Sequence, residues 1–224
     1  MTKVLLTLGD SWPGGVELQS TDRCYGETLK QLLEFDEFYN YGQGGSSNEH
    51  MILQLQNYFE KHHRFDHQIT AVFFLTNPHR TVYFPPDAGF SVHGYERQNW
   101  NQEAKEVFMK NWLHFHSDEN AIMRSSIAIT ALQQWCKLHN IDDYYFSGWI
   151  KYTQWLPMVN TDKIWAKGLE TAADWFGASD HNGEHLTNVS NNQYIQPNYA
   201  HPNQLGHDLI ANKLRTWIAR NKIN

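Results

Sequence analysis

At 224 residues the chain is long enough to bury a full hydrophobic core in one α/β domain without metal or disulfide staples. Hydrophobic residues make up 41% and charged residues 19%, the balance of a soluble globular protein. A net charge of −6 with no Lys/Arg cluster argues against nucleic acid or an anionic membrane surface as partner, and no apolar run approaches the roughly 20 residues that cross a bilayer.

The first predicted element is a strand, Lys3 to Leu8, which stops at Gly9-Asp10-Ser11. Its apolar run of about five residues is too short for a secretion signal, and no small-residue cleavage site follows. Cys24 and Cys136 lie far apart, so two buried thiols in a reducing compartment are expected, in a soluble cytoplasmic protein. A helix is predicted from about Asp22 to Leu33, with Leu29, Leu32 and Leu33 on one face, then a short strand from Phe38 to Tyr41. Ser46 and Glu49 have the spacing of a capping box, and Ile52, Leu55 and Phe59 continue at helical intervals.

Ile69 to Leu75 is a continuous apolar run of the kind central parallel strands show, and it ends at Thr76-Asn77-Pro78. An aromatic-rich insertion follows at about 78–116, with a helix expected from about Trp100 to Leu113. A long helix from about Asp118 to His139 leads to a strand at Asp143 to Phe146. Beyond it, Lys163 to Phe176 reads as helix, the polar stretch from Gly177 to Gln193 reads as loop, and a fifth strand is expected somewhere between Ser147 and Gln196. Leu205, Leu209, Ile210, Leu214, Trp217 and Ile218 define a closing amphipathic helix, with Pro202 suited to its first turn.

Alternating strands and helices predict an α/β fold: a three-layer α/β/α sandwich around a flavodoxin-like parallel sheet of about five strands, forming a single domain over 1–224. Such sheets place their sites at the carboxyl ends of the strands. Ser11 falls there after the first strand, Gly42 to Gly45 after the second and Asn77 after the third. His201 stands just before the last helix, in His201-Pro202-Asn203 followed by Gly206-His207.

In this order the four blocks resemble the SGNH, or GDSL-type, hydrolase family, over the span from Gly9 to Leu214. The resemblance implies that Ser11 is the nucleophile and His201 its base. It further implies an oxyanion hole formed by the Ser11 N–H, Gly45 (with Gly44 the alternative by one place) and Asn77. The chemistry requires these types: a serine hydroxyl needs a base to take its proton, and the tetrahedral intermediate needs N–H donors for its oxyanion.

The chain departs from the family pattern in the flanks of Asn77, which are Leu75 and Pro78, and at Asn198, which stands where an aspartate precedes the histidine by three residues. Asn198 is the candidate third catalytic residue. The same exchange of Asp for Asn in a serine protease lowers turnover about ten-thousand-fold. The Asn198 side-chain oxygen, a backbone carbonyl or Asp180 are alternative acceptors for the imidazole.

The resulting expectation is a serine esterase acting on a short-chain acyl ester, with an acetylated carbohydrate as the candidate substrate. Aromatic residues are 14% of the chain, and Tyr83, Phe84, Phe90, Tyr95 and Trp100 are the candidates for stacking on a sugar. The alternative is a catalytically weakened or inactive glycan-binding or structural module on the same fold. No cofactor and no metal are expected, since His114 with His116, and His181 with Glu184 and His185, do not reproduce a zinc-binding pattern.

Overall fold

The computed structural model describes residues 1–80, 82–83, 91–92, 106, 117–178, 192–196 and 201–221. Four parallel strands form its sheet: β1 (Thr2–Leu8), β2 (Glu37–Asn40), β3 (His67–Leu75) and, from late in the chain, β6 (Asp142–Ser147). Their spatial order is β2-β1-β3-β6. The short β4 (Val82–Tyr83) and β5 (Ser91–Val92) form a separate antiparallel pair. The helices are α1 (Tyr25–Leu32), α2 (His50–Lys61), α3 (Asp118–Leu138), α4 (Ala172–Trp175) and α5 (Gln204–Asn221).

The two-residue period of the strands sorts their side chains into two cores. Val4, Leu6 and Leu8 of β1, with Ile69, Ala71, Phe73 and Leu75 of β3, pack against Met51, Leu55 and Tyr58 of α2 and Ile129, Leu132 and Cys136 of α3. On the opposite face Leu5, Val72, Phe74, Tyr144 and Phe146 meet Tyr25 and Leu29 of α1 and Ile210, Ala211, Leu214 and Ile218 of α5. The central strands β1 and β3 are therefore covered on both sides, which is why they read as unbroken apolar runs. Truncating Leu6, which is fully buried, to Ala would cost about 2–5 kcal/mol.

Polar contacts clasp α1 and α5 together. Tyr25 N–H donates to His207 Nδ1 at 3.2 Å, Arg23 N–H to Gln204 Oε1 at 2.6 Å, and Thr28 Oγ1 to Asp208 Oδ1 at 3.3 Å. Cys24 caps the start of α1, its N–H donating to the Glu27 carboxylate at 3.0 Å. Cys24 and Cys136 are both buried free thiols.

The predicted α/β/α layering and parallel sheet are what the molecule has, with four sheet strands among the described residues where about five were expected. Where the fifth was expected, two single parallel bridges, Tyr145 to Ile164 and Ser147 to Thr171, run along the outer side of β6 without forming a strand. The helix expected over Lys163 to Phe176 is interrupted. Ala166 and Lys167 have φ of 45° and 55°, Gly168 has φ 89°, and a new start at Thr171, whose hydroxyl accepts from Asp174 N–H, opens the one-turn α4. The Ser46–Glu49 capping box does not form. Ser47 Oγ accepts from His50 N–H instead, while the Ser46 hydroxyl meets the His50 ring. Pro202 lies ahead of α5, whose cap is Asn203, with Oδ1 accepting from Gly206 N–H at 3.1 Å. The helix expected from Trp100 to Leu113 lies outside the described residues. No helix among the described residues is long and apolar enough to cross a membrane.

Candidate active site

The strand order reverses between β1 and β3, and a sheet of this kind opens a crevice at the carboxyl ends of the strands where that happens. Ser11 follows β1 and Asn77 follows β3, with Leu8 opposite Phe73 in the ladder. A hydrogen bond ties the two tips, Thr76 Oγ1 donating to Asp10 Oδ2 at 3.0 Å.

Ser11 is held from both sides. Asp10 is fully buried and accepts from Trp12 N–H, the Thr76 hydroxyl and Arg80 Nη1, the last at 2.7 Å. Burial pushes the Asp10 carboxyl up from the usual carboxylate range, against the downward pull of the Arg80 guanidinium and of the three hydrogen bonds. Trp12 is buried among the rings of Phe74, Trp149 and Phe176, and the Arg80 guanidinium covers the Trp149 ring at 5.4 Å. The serine between these anchors is mostly buried, with 8% of its surface exposed.

The imidazole comes from the other end of the chain. The segment around Ile195 pairs antiparallel with Pro202, and Gln196 N–H donates to the His201 carbonyl at 2.7 Å, so the backbone at 201 is pinned just before α5 begins. His201 Nε2 lies 2.9 Å from Ser11 Oγ. Its other ring nitrogen, Nδ1, lies 2.9 Å from Glu17 Oε2. Nothing in the sequence pattern singled out Glu17. Its signal was only an acidic residue shortly after Gly14-Gly15, a pair suited to turning the Ser11 loop back on itself. Asn198, the expected third member, lies outside the described residues, as does Asp180.

The loop after β2 runs beside this pair. Gly42 is pressed against the Ser11 loop so closely that a Cβ there would stand 2.2 Å from Gly14 N, which only glycine permits. A Cβ at Gly44 would lie 3.9 Å from the Ser11 Cβ, while Gly45 has φ 79° and open space around it. Gly44 is thus the glycine placed against Ser11, and Gly45 supplies the left-handed turn beside it. Asn77 is half-buried, with Oδ1 accepting from His79 N–H at 2.8 Å. That turn engages the amide oxygen, and the amide nitrogen is a donor only.

A cavity of about 550 Å³ opens beside Asn77, lined among others by His79, Asp118, Lys151 and Thr153. Neither Ser11 nor His201 lines it. Of the aromatic candidates, Tyr83 has its backbone in β4, while Phe84, Phe90, Tyr95 and Trp100 lie outside the described residues, as do His114, His116, His181, Glu184 and His185.

His207, in the same block as His201, has a structural task. Its Nδ1 accepts from the first N–H of α1, its ring stacks on Tyr25 at 6.0 Å, and burial pulls it down to about 3.

No protein-family model and no curated protein matches the sequence. Solved structures do. One is of a protein assigned to the lipolytic G-D-S-L family from Desulfitobacterium hafniense, 12% identical, covering 96% of this chain and 99% of that one with a TM-score of 0.53. The chain shares the fold of that protein. An acetyl xylan esterase, 12% identical with TM-score 0.49, and a psychrotrophic esterase from a Pseudoalteromonas species, 13% identical with TM-score 0.48, each cover 96% of this chain and 98% of their own. This chain reads Gly9-Asp10-Ser11 with Trp12 in the fourth place.

Proposed function

We propose that the protein is a serine esterase of the SGNH kind, acting on a short acyl ester. The observation that carries this reading is the 2.9 Å contact between His201 Nε2 and Ser11 Oγ, made by residues from opposite ends of the chain at the crevice of the sheet. As Ser11 Oγ bonds to the ester carbonyl carbon, its proton passes to Nε2 and the carbonyl π pair becomes an oxyanion. The backbone N–H groups of Ser11 and of the Gly44-Gly45 turn, with the Asn77 amide, are the donors for that charge. Collapse breaks the carbon–oxygen bond to the alcohol, which leaves with the proton from Nε2. Water then repeats the sequence and returns Ser11, releasing the acid.

A hydroxyl-rich alcohol suits the cavity beside Asn77, because its lining includes the polar Thr153 and the Asp118 and Lys151 side chains, which pair with His79 and Asp174. The proposed substrate class is therefore an acetylated carbohydrate or a similar small polar ester. The test is hydrolysis of 4-nitrophenyl acetate and of an acetylated oligosaccharide by the purified protein and by Ser11→Ala. Turnover by the wild type and none by the variant supports the reading; equal rates remove it. Binding of the oligosaccharide without turnover would favour the inactive glycan-binding alternative.

A further inference from the structure

We infer that Glu17 is the acid that orients His201, so that the nucleophile and the group that positions its base come from one loop. The inference rests on the esterase reading above and deepens it. In the family that the sequence resembles, this task falls to an aspartate close to the histidine. Here the carboxylate at the ring comes from the opposite end of the chain.

The geometry has three parts. First, Glu17 Oε2 and Ser11 Oγ meet the two nitrogens of the same ring, each at 2.9 Å. A carboxylate only accepts hydrogen bonds, so its presence at Nδ1 fixes the ring proton there and leaves Nε2 as the acceptor for the serine hydroxyl. When Ser11 gives up its proton, the same carboxylate faces the imidazolium that forms.

Second, the loop is built to return residue 17 to the nucleophile. Gly14 N–H donates to the Asp10 carbonyl at 3.2 Å, Gly15 N–H to Trp12 at 3.1 Å and Val16 N–H to Ser11 at 3.1 Å. These closures turn the chain within a few residues of β1, and Trp12 nails the turn into the core.

Third, Glu17 has φ 73°. This is the left-handed region that residues with a Cβ avoid, and such conformations persist where the surrounding structure over-determines them, often at functional sites. The pair is also partly withdrawn from solvent, with side-chain exposures of 26% for Glu17 and 21% for His201, so it is screened less than a surface ion pair.

Glu17 touches no reacting atom and is a positioning residue, which sets its signature. Glu17→Gln keeps the shape and removes the charge; kcat is expected to fall about 100- to 1,000-fold with KM changing less than about threefold. Glu17→Gly relieves the left-handed backbone while removing the carboxylate. Its melting temperature is expected to hold or rise while kcat falls as far as in Glu17→Gln. A merely structural Glu17 would lower stability and leave kcat alone.

A readout independent of substrate choice is the downfield proton resonance of His201 Nδ1–H, assigned by its absence in His201→Gln. It is expected in the wild type and in Ser11→Ala, and lost or moved upfield in Glu17→Gln. Wild-type kcat in both Glu17 variants, with Ser11→Ala inactive, would overturn the inference and leave the esterase reading standing. So would an unchanged Nδ1–H resonance in Glu17→Gln. Activity retained by Ser11→Ala would instead overturn the esterase reading, and the catalytic part of the inference with it.

Discussion

Gln54 grips Gly9 by both of its backbone groups: its Oε1 accepts from Gly9 N–H at 2.8 Å and its Nε2 donates to the Gly9 carbonyl at 2.9 Å. The amide thus clamps the chain just past the end of β1, two residues before Ser11. Nε2 also donates to Ser46 Oγ at 3.2 Å, and the Ser46 hydroxyl in turn meets His50 Nδ1 at 2.7 Å. Burial pulls His50 down to about 4, so at neutral pH its ring is uncharged and Nδ1 can accept. Gln54→Leu would strand the buried Gly9 N–H at about 1–3 kcal/mol, while the Gly9 carbonyl keeps the Gln43 N–H at 3.1 Å. The expected outcome in urea unfolding is a loss of about 1–3 kcal/mol, larger than that of a surface Gln replacement.

Asn77 combines a turn acceptor with a proposed oxyanion donor, and Asn77→Asp separates the two. Aspartate still accepts from His79 N–H, so the melting temperature is expected to stay close to the wild type. The lost N–H donor and the added negative charge oppose the oxyanion, and kcat is expected to drop by at least about 100-fold. Steady-state kinetics beside a thermal melt checks both halves.

Arg80 supplies the cation for the fully buried Asp10. In Arg80→Ala the carboxylate keeps the Trp12 and Thr76 donors but loses its countercharge, a change of the kind that costs about 3–5 kcal/mol when one partner of a buried pair is removed. Protonating Asp10 relieves the unpaired charge, so the gap between variant and wild type is expected to widen with rising pH. Unfolding at pH 5 and pH 8 measures it; an equal gap at both would show that Asp10 does not carry the effect.

His207 sets an acid limit on the fold. Its folded value of about 3 lies below the ordinary histidine value near 6.5, so between these two pH values the unfolded chain binds a proton that the folded one does not. Stability therefore falls as the pH drops below about 6.5, with a slope from this group of about 1 kcal/mol per pH unit. His207→Gln keeps an acceptor for Tyr25 N–H without the titration. Its stability is expected to fall less steeply between pH 6.5 and pH 4.

The central strands could be read from the sequence because both faces of β1 and β3 are covered, leaving Val4 to Leu8 and Ile69 to Leu75 with no polar face to confuse the period. Ser11 and His201 were legible because each stands directly beside an element boundary. The stretch from Lys163 to Phe176 was not, since its apolar spacing is helical while the backbone at Ala166, Lys167 and Gly168 turns left-handed. Glu17 and Arg80 escaped for a different reason. Their roles come from three-dimensional meetings with His201 and Asp10, far away in the chain, and no periodicity records such a meeting.

The clasp between α1 and α5 makes the proposed chemistry conditional on the far end of the polypeptide. During synthesis, β1 and the serine loop emerge early, whereas the imidazole comes only with the segment that leads into α5. A ribosome-bound or proteolytically clipped chain ending before residue 200 would hold its hydroxyl with no proton acceptor, and the α1 face of the sheet would lie open to water. Reactivity would then switch on in the same event that seals the second core, so that partly made or partly degraded copies stay inert toward esters.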